Sequence, residues 1–147
     1  MRPGLVRRTA VRSVGGCSLP RVIKLLIVGA GGFLGAISRY ALSGLVHRHV
    51  PGSFPIGTLC VNLLGCFLIG ALMTLVLDRK LFTPETRLLF GVGFLGSLTT
   101  FSTFGYETVE LLRSGESRLA LLSVVANVVF GVAGVILGRF AVKALGV

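Results

Sequence analysis

Nine consecutive residues, Gly96-Ser97-Leu98-Thr99-Thr100-Phe101-Ser102-Thr103-Phe104, concentrate hydroxyls and phenyl rings inside an uncharged stretch from Leu88 to Tyr106. Hydroxyls can donate to an anion without bringing a full charge beside it. Phenyl rings are electropositive at their edges. Such a lane suits a small, strongly hydrated anion, although Phe101 and Phe104 are equally open to a plain packing role. Ser and Thr also weaken helix interiors because their hydroxyls compete for backbone groups, and Gly adds an entropic cost. Irregular backbone at membrane depth persists only where it is buried in protein or lines a wet cavity. The segment is therefore the expected working part of an ion or solute path.

Few other polar side chains lie within apolar surroundings, and each is a candidate for function. Asn62 can donate its amide to an anion or bridge two helices. Ser123 and Asn127 are four apart and share a helical face, either as part of the path or as interhelical glue. Arg39, followed by Tyr40, can snorkel to the interface or form an electropositive vestibule that concentrates anions. Acids are absent before Asp78, and Glu107 and Glu110 fall near the end of an apolar run. That pattern disfavours a proton relay and a carboxylate-lined cation channel.

The elements that must position these groups are membrane spans. Hydrophobic residues make up 53% of the 147 residues and charged residues 14%, and mean hydropathy is +0.90. A span needs about 20 predominantly apolar residues. Four stretches qualify, near residues 22–46, 54–77, 86–112 and 118–142. The short connections predict an all-α, compact antiparallel bundle occupying residues 22–147. Glycines at 31, 32, 35, 57, 65, 70, 91, 131, 134 and 138 predict close helix approach in lipid.

The net charge of +10 does not imply a nucleic-acid partner. With four spans, Arg2, Arg7, Arg8, Arg12, Arg21, Lys24, Arg79, Lys80, Arg87, Arg139 and Lys143 share one side, and Arg48, Arg113 and Arg118 the other. This 11-to-3 split follows the positive-inside rule and places both termini in the cytoplasm, in the cell inner (plasma) membrane. Residues 1–21 read as a basic, disordered tail. Cys17, Cys60 and Cys66 form no disulfide framework, and His47 and His49 form no metal set. The turn Gly29-Ala30-Gly31-Gly32 imitates a dinucleotide-binding loop. No acid follows about 20 residues later to hold a ribose, and a second span follows instead of a strand.

These residues, in order and at this spacing, resemble the bacterial fluoride channel family, Fluc or CrcB. The resemblance rests on Gly31-Gly32-Phe33-Leu34-Gly35-Ala36 with Arg39-Tyr40, on Gly57-Thr58 with Val61-Asn62 and Gly65, and on Gly93-Phe94-Leu95-Gly96 running into Thr99-Thr100-Phe101-Ser102-Thr103-Phe104. It covers about residues 22–142. It implies passive, selective export of fluoride by an antiparallel, dual-topology-type dimer of four-helix subunits with a broken third helix. It also implies one structural Na+ at the dimer centre, held through backbone carbonyls that align with Gly96 and Thr99. The pore phenyls align with Phe101 and Phe104, the hydroxyls with Ser102 and Thr103, the amide with Asn62 and the vestibule arginine with Arg39. Ser123 and Asn127 stand where members often present Tyr and Ser, and Ser97 stands where Gly is frequent. Dual insertion needs a weak charge bias. Here the bias is 7 to 3 even without residues 1–20, so the partner is either a second copy or an oppositely oriented paralogue.

Two other functions compete with a fluoride channel. A small proton-coupled multidrug-type exporter would need an interior Glu in the first span. A non-conducting membrane assembly protein would have no use for a lane of hydroxyls and phenyls. An enzyme is not expected, because no nucleophile–base pair or metal set is present.

Overall fold

The protein is described from a computed structural model covering residues 19–78 and 80–146. Most of the expected basic tail, with Arg2, Arg7, Arg8, Arg12 and Cys17, lies outside the described residues, as does Arg79.

Among the described residues the chain is helical, with no strand. Four helical stretches are long and apolar enough to cross a membrane: Arg21–His49, Ile56–Asp78, Pro84–Arg113 and Ser117–Ala144. They agree with the four apolar runs to within a few residues. The first is one helix, α1 (Arg21–His49), ended by Val50-Pro51. The second is α2 (Ile56–Met73), which widens into a π-helical turn over Thr74–Asp78. The third begins with the short α3 (Pro84–Thr86), continues as π-helix over Arg87–Leu95 and tightens into α4 (Gly96–Leu98). It resumes as α5 (Phe101–Arg113), and the fourth is α6 (Ser117–Ala144).

Local chemistry sets several of these boundaries. Thr83 caps α3, its hydroxyl accepting from Thr86 N–H at 3.4 Å, with Pro84 in the first helical position, where a missing N–H costs nothing. The α5–α6 turn closes with Glu116 N–H donating to Leu111 O (2.8 Å) and Gly115 N–H donating to Leu112 O (3.2 Å). Gly115 has φ = 81°, the left-handed position such a helix end requires.

Two helix pairs form the framework. α1 lies along the π-helical part of the third span, and α2 lies along α6. Both contacts are made by backbone against backbone. A Cβ on Gly31 or Gly35 would strike the carbonyls of Leu89 or Phe94, and one on Gly93 would meet Val28 O. On the other pair, a Cβ on Gly70 would strike Val135 O, and one on Gly138 would strike Phe67 O. In lipid, apolar burial gives little drive for helices to associate, so close van der Waals approach of small residues does that work. A Cβ on Gly131 or Gly134 would meet Cys66 only at ordinary contact distance, 3.5 Å. The few fully buried side chains are small or medium in size: Leu98, Val61, Thr74 and Ser123. Most of the large ones, including Phe33, Tyr106, Phe130 and Phe140, point outward, as a lipid-facing surface requires.

The bundle is tied at both ends. Ser53 Oγ donates to Glu116 Oε1 at 3.0 Å, joining the first and third connections. Asp78 lies 3.8 Å from Arg139 and 3.9 Å from Lys143, joining the end of the second stretch to the end of the fourth.

Candidate functional site

The third stretch changes conformation at Thr99 and Thr100. Thr99 has φ/ψ of −78°/156° and Thr100 −149°/120°, both extended, between the end of α4 and the start of α5. An extended pair interrupts the i→i−4 ladder, so its polar groups need other partners. Asn62 supplies them from α2. Its Oδ1 accepts from Thr100 N–H at 2.8 Å, and its Nδ2 donates to Thr100 O at 3.2 Å. The second Nδ2 proton goes to Asn127 Oδ1 on α6 at 3.0 Å. Asn127 Nδ2 in turn donates to Ser123 O at 3.0 Å. Of the two roles open to Asn62, bridging therefore accounts for both of its N–H groups.

Thr100 also caps α5. Its Oγ1 accepts from Thr103 N–H (3.2 Å), donates to Thr103 Oγ1 (3.1 Å) and pairs with Ser102 Oγ (3.2 Å). Three hydroxyls thus converge at one helix N-terminus, where the peptide dipoles favour negative charge. Phe101 and Phe104 follow, with ring centroids 5.5 Å apart and planes tilted by 58°. Phe104 is buried, and Phe101 is 83% exposed.

Two cavities meet here. One, of about 380 Å³, is walled by Asn62, Gly96, Thr99, Phe101, Phe104 and Asn127, among others. The second, of about 560 Å³, opens near the α1–α2 connection and is walled by Arg39, Tyr40, His47, Thr58, Thr103 and Glu107, among others. Thr100 belongs to both linings. It is the partition between a phenyl-walled groove and a chamber with a guanidinium in its wall.

The structure gathers most of the residues singled out from the sequence. Asn62, Phe101, Phe104 and Asn127, together with Gly96 and Thr99, wall the first cavity. Thr103 and Arg39 wall the second, and Ser102 pairs with Thr100 beside them. Ser123 is different. It is fully buried, its hydroxyl has no partner among the described residues, and it contributes its carbonyl instead.

Sequence reasoning undervalued three residues. Thr100 is the hub of the cluster. Thr58 donates its hydroxyl to Glu107 Oε1 at 2.9 Å, and Glu107 Oε2 is buried with no partner among the described residues. Glu107 could have been placed on an inner face because the apolar Phe104 and Leu111, three before and four after it, share its side of the helix, and the structure buries both.

The carbonyls of Gly96 and Thr99 bear on cation binding. In an unbroken helix they would accept from Thr100 N–H and Thr103 N–H. Those two amides donate instead to Asn62 Oδ1 and Thr100 Oγ1. Both carbonyls are left without their helical donors, and both residues line the first cavity; carbonyl oxygen is the donor chemistry a hard monovalent cation takes.

The sequence pattern of the family described as "CrcB-like protein, Camphor Resistance (CrcB)" matches residues 26–139. Among similar proteins is "Fluoride-specific ion channel FluC 1" of Methanosarcina acetivorans, 44% identical over 115 residues, which is 78% of this chain and 87% of that protein. "Fluoride-specific ion channel FluC" of Chlorobium phaeobacteroides is 47% identical over 112 residues, 76% of this chain and 87% of that one. The protein of the same name from Ruminiclostridium cellulolyticum is 39% identical over 127 residues, 86% and 98% of the two chains. The matched pattern runs from the first span into the fourth and takes in the extended pair and the asparagine that holds it, so the chain belongs to the CrcB family.

Proposed function

We propose that this chain is the subunit of a fluoride-selective channel that lets the anion leave the cytoplasm down its electrochemical gradient. The observation that carries the reading is the position of Thr100, shared by both cavities and joined to the hydroxyls of Ser102 and Thr103. An anion arriving past Arg39 would exchange water for these O–H donors and then for the phenyl edges of Phe101 and Phe104. The fluoride-channel names of the relatives support the choice of anion.

In this reading the extended pair at 99–100 is the functional break of the third helix, and the working unit is an antiparallel dimer. Phe101, largely exposed on a single chain, would face the partner across the open groove. The partner is a second copy or an oppositely oriented paralogue, in a plasma membrane with both termini of this chain cytoplasmic. The carbonyls of Gly96 and Thr99 would hold a structural Na+ at the dimer centre. When bound, that ion would supply positive charge beside these carbonyls. The chain's own residues bind, desolvate and pass the anion.

The test is fluoride efflux from liposomes carrying the purified protein, with valinomycin and potassium balancing charge and chloride as control. Rapid fluoride release with chloride retained is the expected result. Equal release of both ions would overturn selectivity. No release, alone or with a co-reconstituted paralogue, would overturn the channel.

A further inference from the structure

We propose that Asn127 is a positioning residue for the anion path: it orients Asn62, and through Asn62 it holds Thr99 and Thr100 extended. The inference rests on the channel reading above and deepens it. Ser123 O takes one N–H of Asn127 at 3.0 Å. This turns Asn127 Oδ1 toward α2, where it accepts from Asn62 Nδ2 at 3.0 Å. Thr100 offers Asn62 one N–H and one C=O, and Asn62 satisfies both with its Oδ1 and its Nδ2. The chain of bonds therefore runs from the α6 backbone through two amides to the backbone of the extended pair, spanning three helical stretches.

Each amide has a defined direction in this relay. Asn127 acts as an acceptor toward α2, and an apolar replacement leaves one Asn62 proton without a partner beside the first cavity. An amide with a free N–H is no longer held in one plane, and the two contacts to Thr100 lengthen together. Thr100 Oγ1 caps α5 and carries the bonds to Ser102 and Thr103, so the hydroxyl cluster moves with it. Asn127 thus acts on the lane without needing to touch the anion. The three-helix clasp also explains why a half-buried amide on α6 faces α2 and not lipid.

The test compares wild type with Asn127→Ala and Asn127→Leu, the second filling the space should the first leave a cavity. Two quantities are read on assembled, purified protein: the fluoride-to-chloride permeability ratio in liposomes, and amide hydrogen exchange over residues 98–104. The ratio does not depend on how much of the protein is active, so a loss of folded protein alone would not move it. The expected result is exchange about tenfold faster over 98–104, unchanged exchange in α1 and α6, and a lower permeability ratio. Wild-type exchange and an unchanged ratio in both variants, with wild type conducting, would overturn the positioning role alone. A wild-type protein that passes no fluoride would instead overturn the channel reading on which it rests.

Discussion

Asn62 stands in for a stretch of helix: its amide oxygen accepts from Thr100 N–H at 2.8 Å while its amide nitrogen donates to Thr100 O at 3.2 Å. One side chain meets both backbone groups of Thr100: the N–H, which has no helical acceptor here, and the carbonyl that also opens α5. Asn62→Asp keeps the first bond and turns the second into an acceptor facing two acceptors, Thr100 O and Asn127 Oδ1. Each unsatisfied buried group costs about 1–3 kcal/mol. The expected outcome is fluoride efflux reduced at least tenfold, with a clear loss of thermal stability in detergent. Wild-type flux from this variant would place Asn62 outside the mechanism.

The two phenyl rings separate stability from transport. Phe104 is 8% exposed and Phe101 is 83% exposed on the single chain. Phe104→Ile should lower stability by about 1–2 kcal/mol through lost packing, and Phe101→Ile by less than about 0.5 kcal/mol. Both should slow fluoride efflux while the oligomer, measured by light scattering, stays assembled. Unchanged flux in both variants would remove the rings from the path.

The four spans were legible because each is an apolar run with few charges, most of them near its ends, a pattern that survives any detail of packing. The Ser/Thr crowding at 97–103 marked the place where helix gives way. The site's wiring was less legible, because its bonds join residues 38 and 65 positions apart. No local periodicity encodes such partners. Ser123 and Asn127 do share a face, yet the reach of Asn127 back to Ser123 O assigns Ser123 a backbone role that its side-chain type does not announce. The π-helical turns were equally hidden, since a change from i→i−4 to i→i−5 bonding leaves the apolar pattern intact.

The Thr58–Glu107 contact should be worth more than a surface hydrogen bond. Thr58 is 4% exposed and its hydroxyl reaches Glu107 Oε1 at 2.9 Å. The other carboxyl oxygen is buried with no partner among the described residues. Thr58→Val keeps the shape and removes the donor, leaving a carboxyl group with neither oxygen satisfied. A loss of about 1–3 kcal/mol is expected. Thr58→Ser retains the donor and should recover most of it. Thermal unfolding of the two variants side by side checks the point, and equal stability would show that the hydroxyl contributes only volume.

The glycine contacts give the sharpest contrast within one residue type. A Cβ at Gly138 meets Phe67 O and lies 2.9 Å from Ala71 N, and both are backbone atoms. Side-chain rotation cannot relieve them, so α2 and α6 must move apart. Gly138→Ala should therefore cost about 1–3 kcal/mol, the usual range for overpacking, and Gly70→Ala, which faces Val135 O, should behave alike. Gly44 lies in α1, and a methyl group added there would have nothing within 4 Å. At that position the helix preference of Ala over Gly acts alone, and Gly44→Ala should stabilise by about 0.5–1 kcal/mol. Thermal unfolding in one detergent would rank the three. Equal effects at 44 and 138 would mean that the α2–α6 contact is looser than its carbonyl spacing implies, and that glycine serves these spans by backbone freedom instead of close approach.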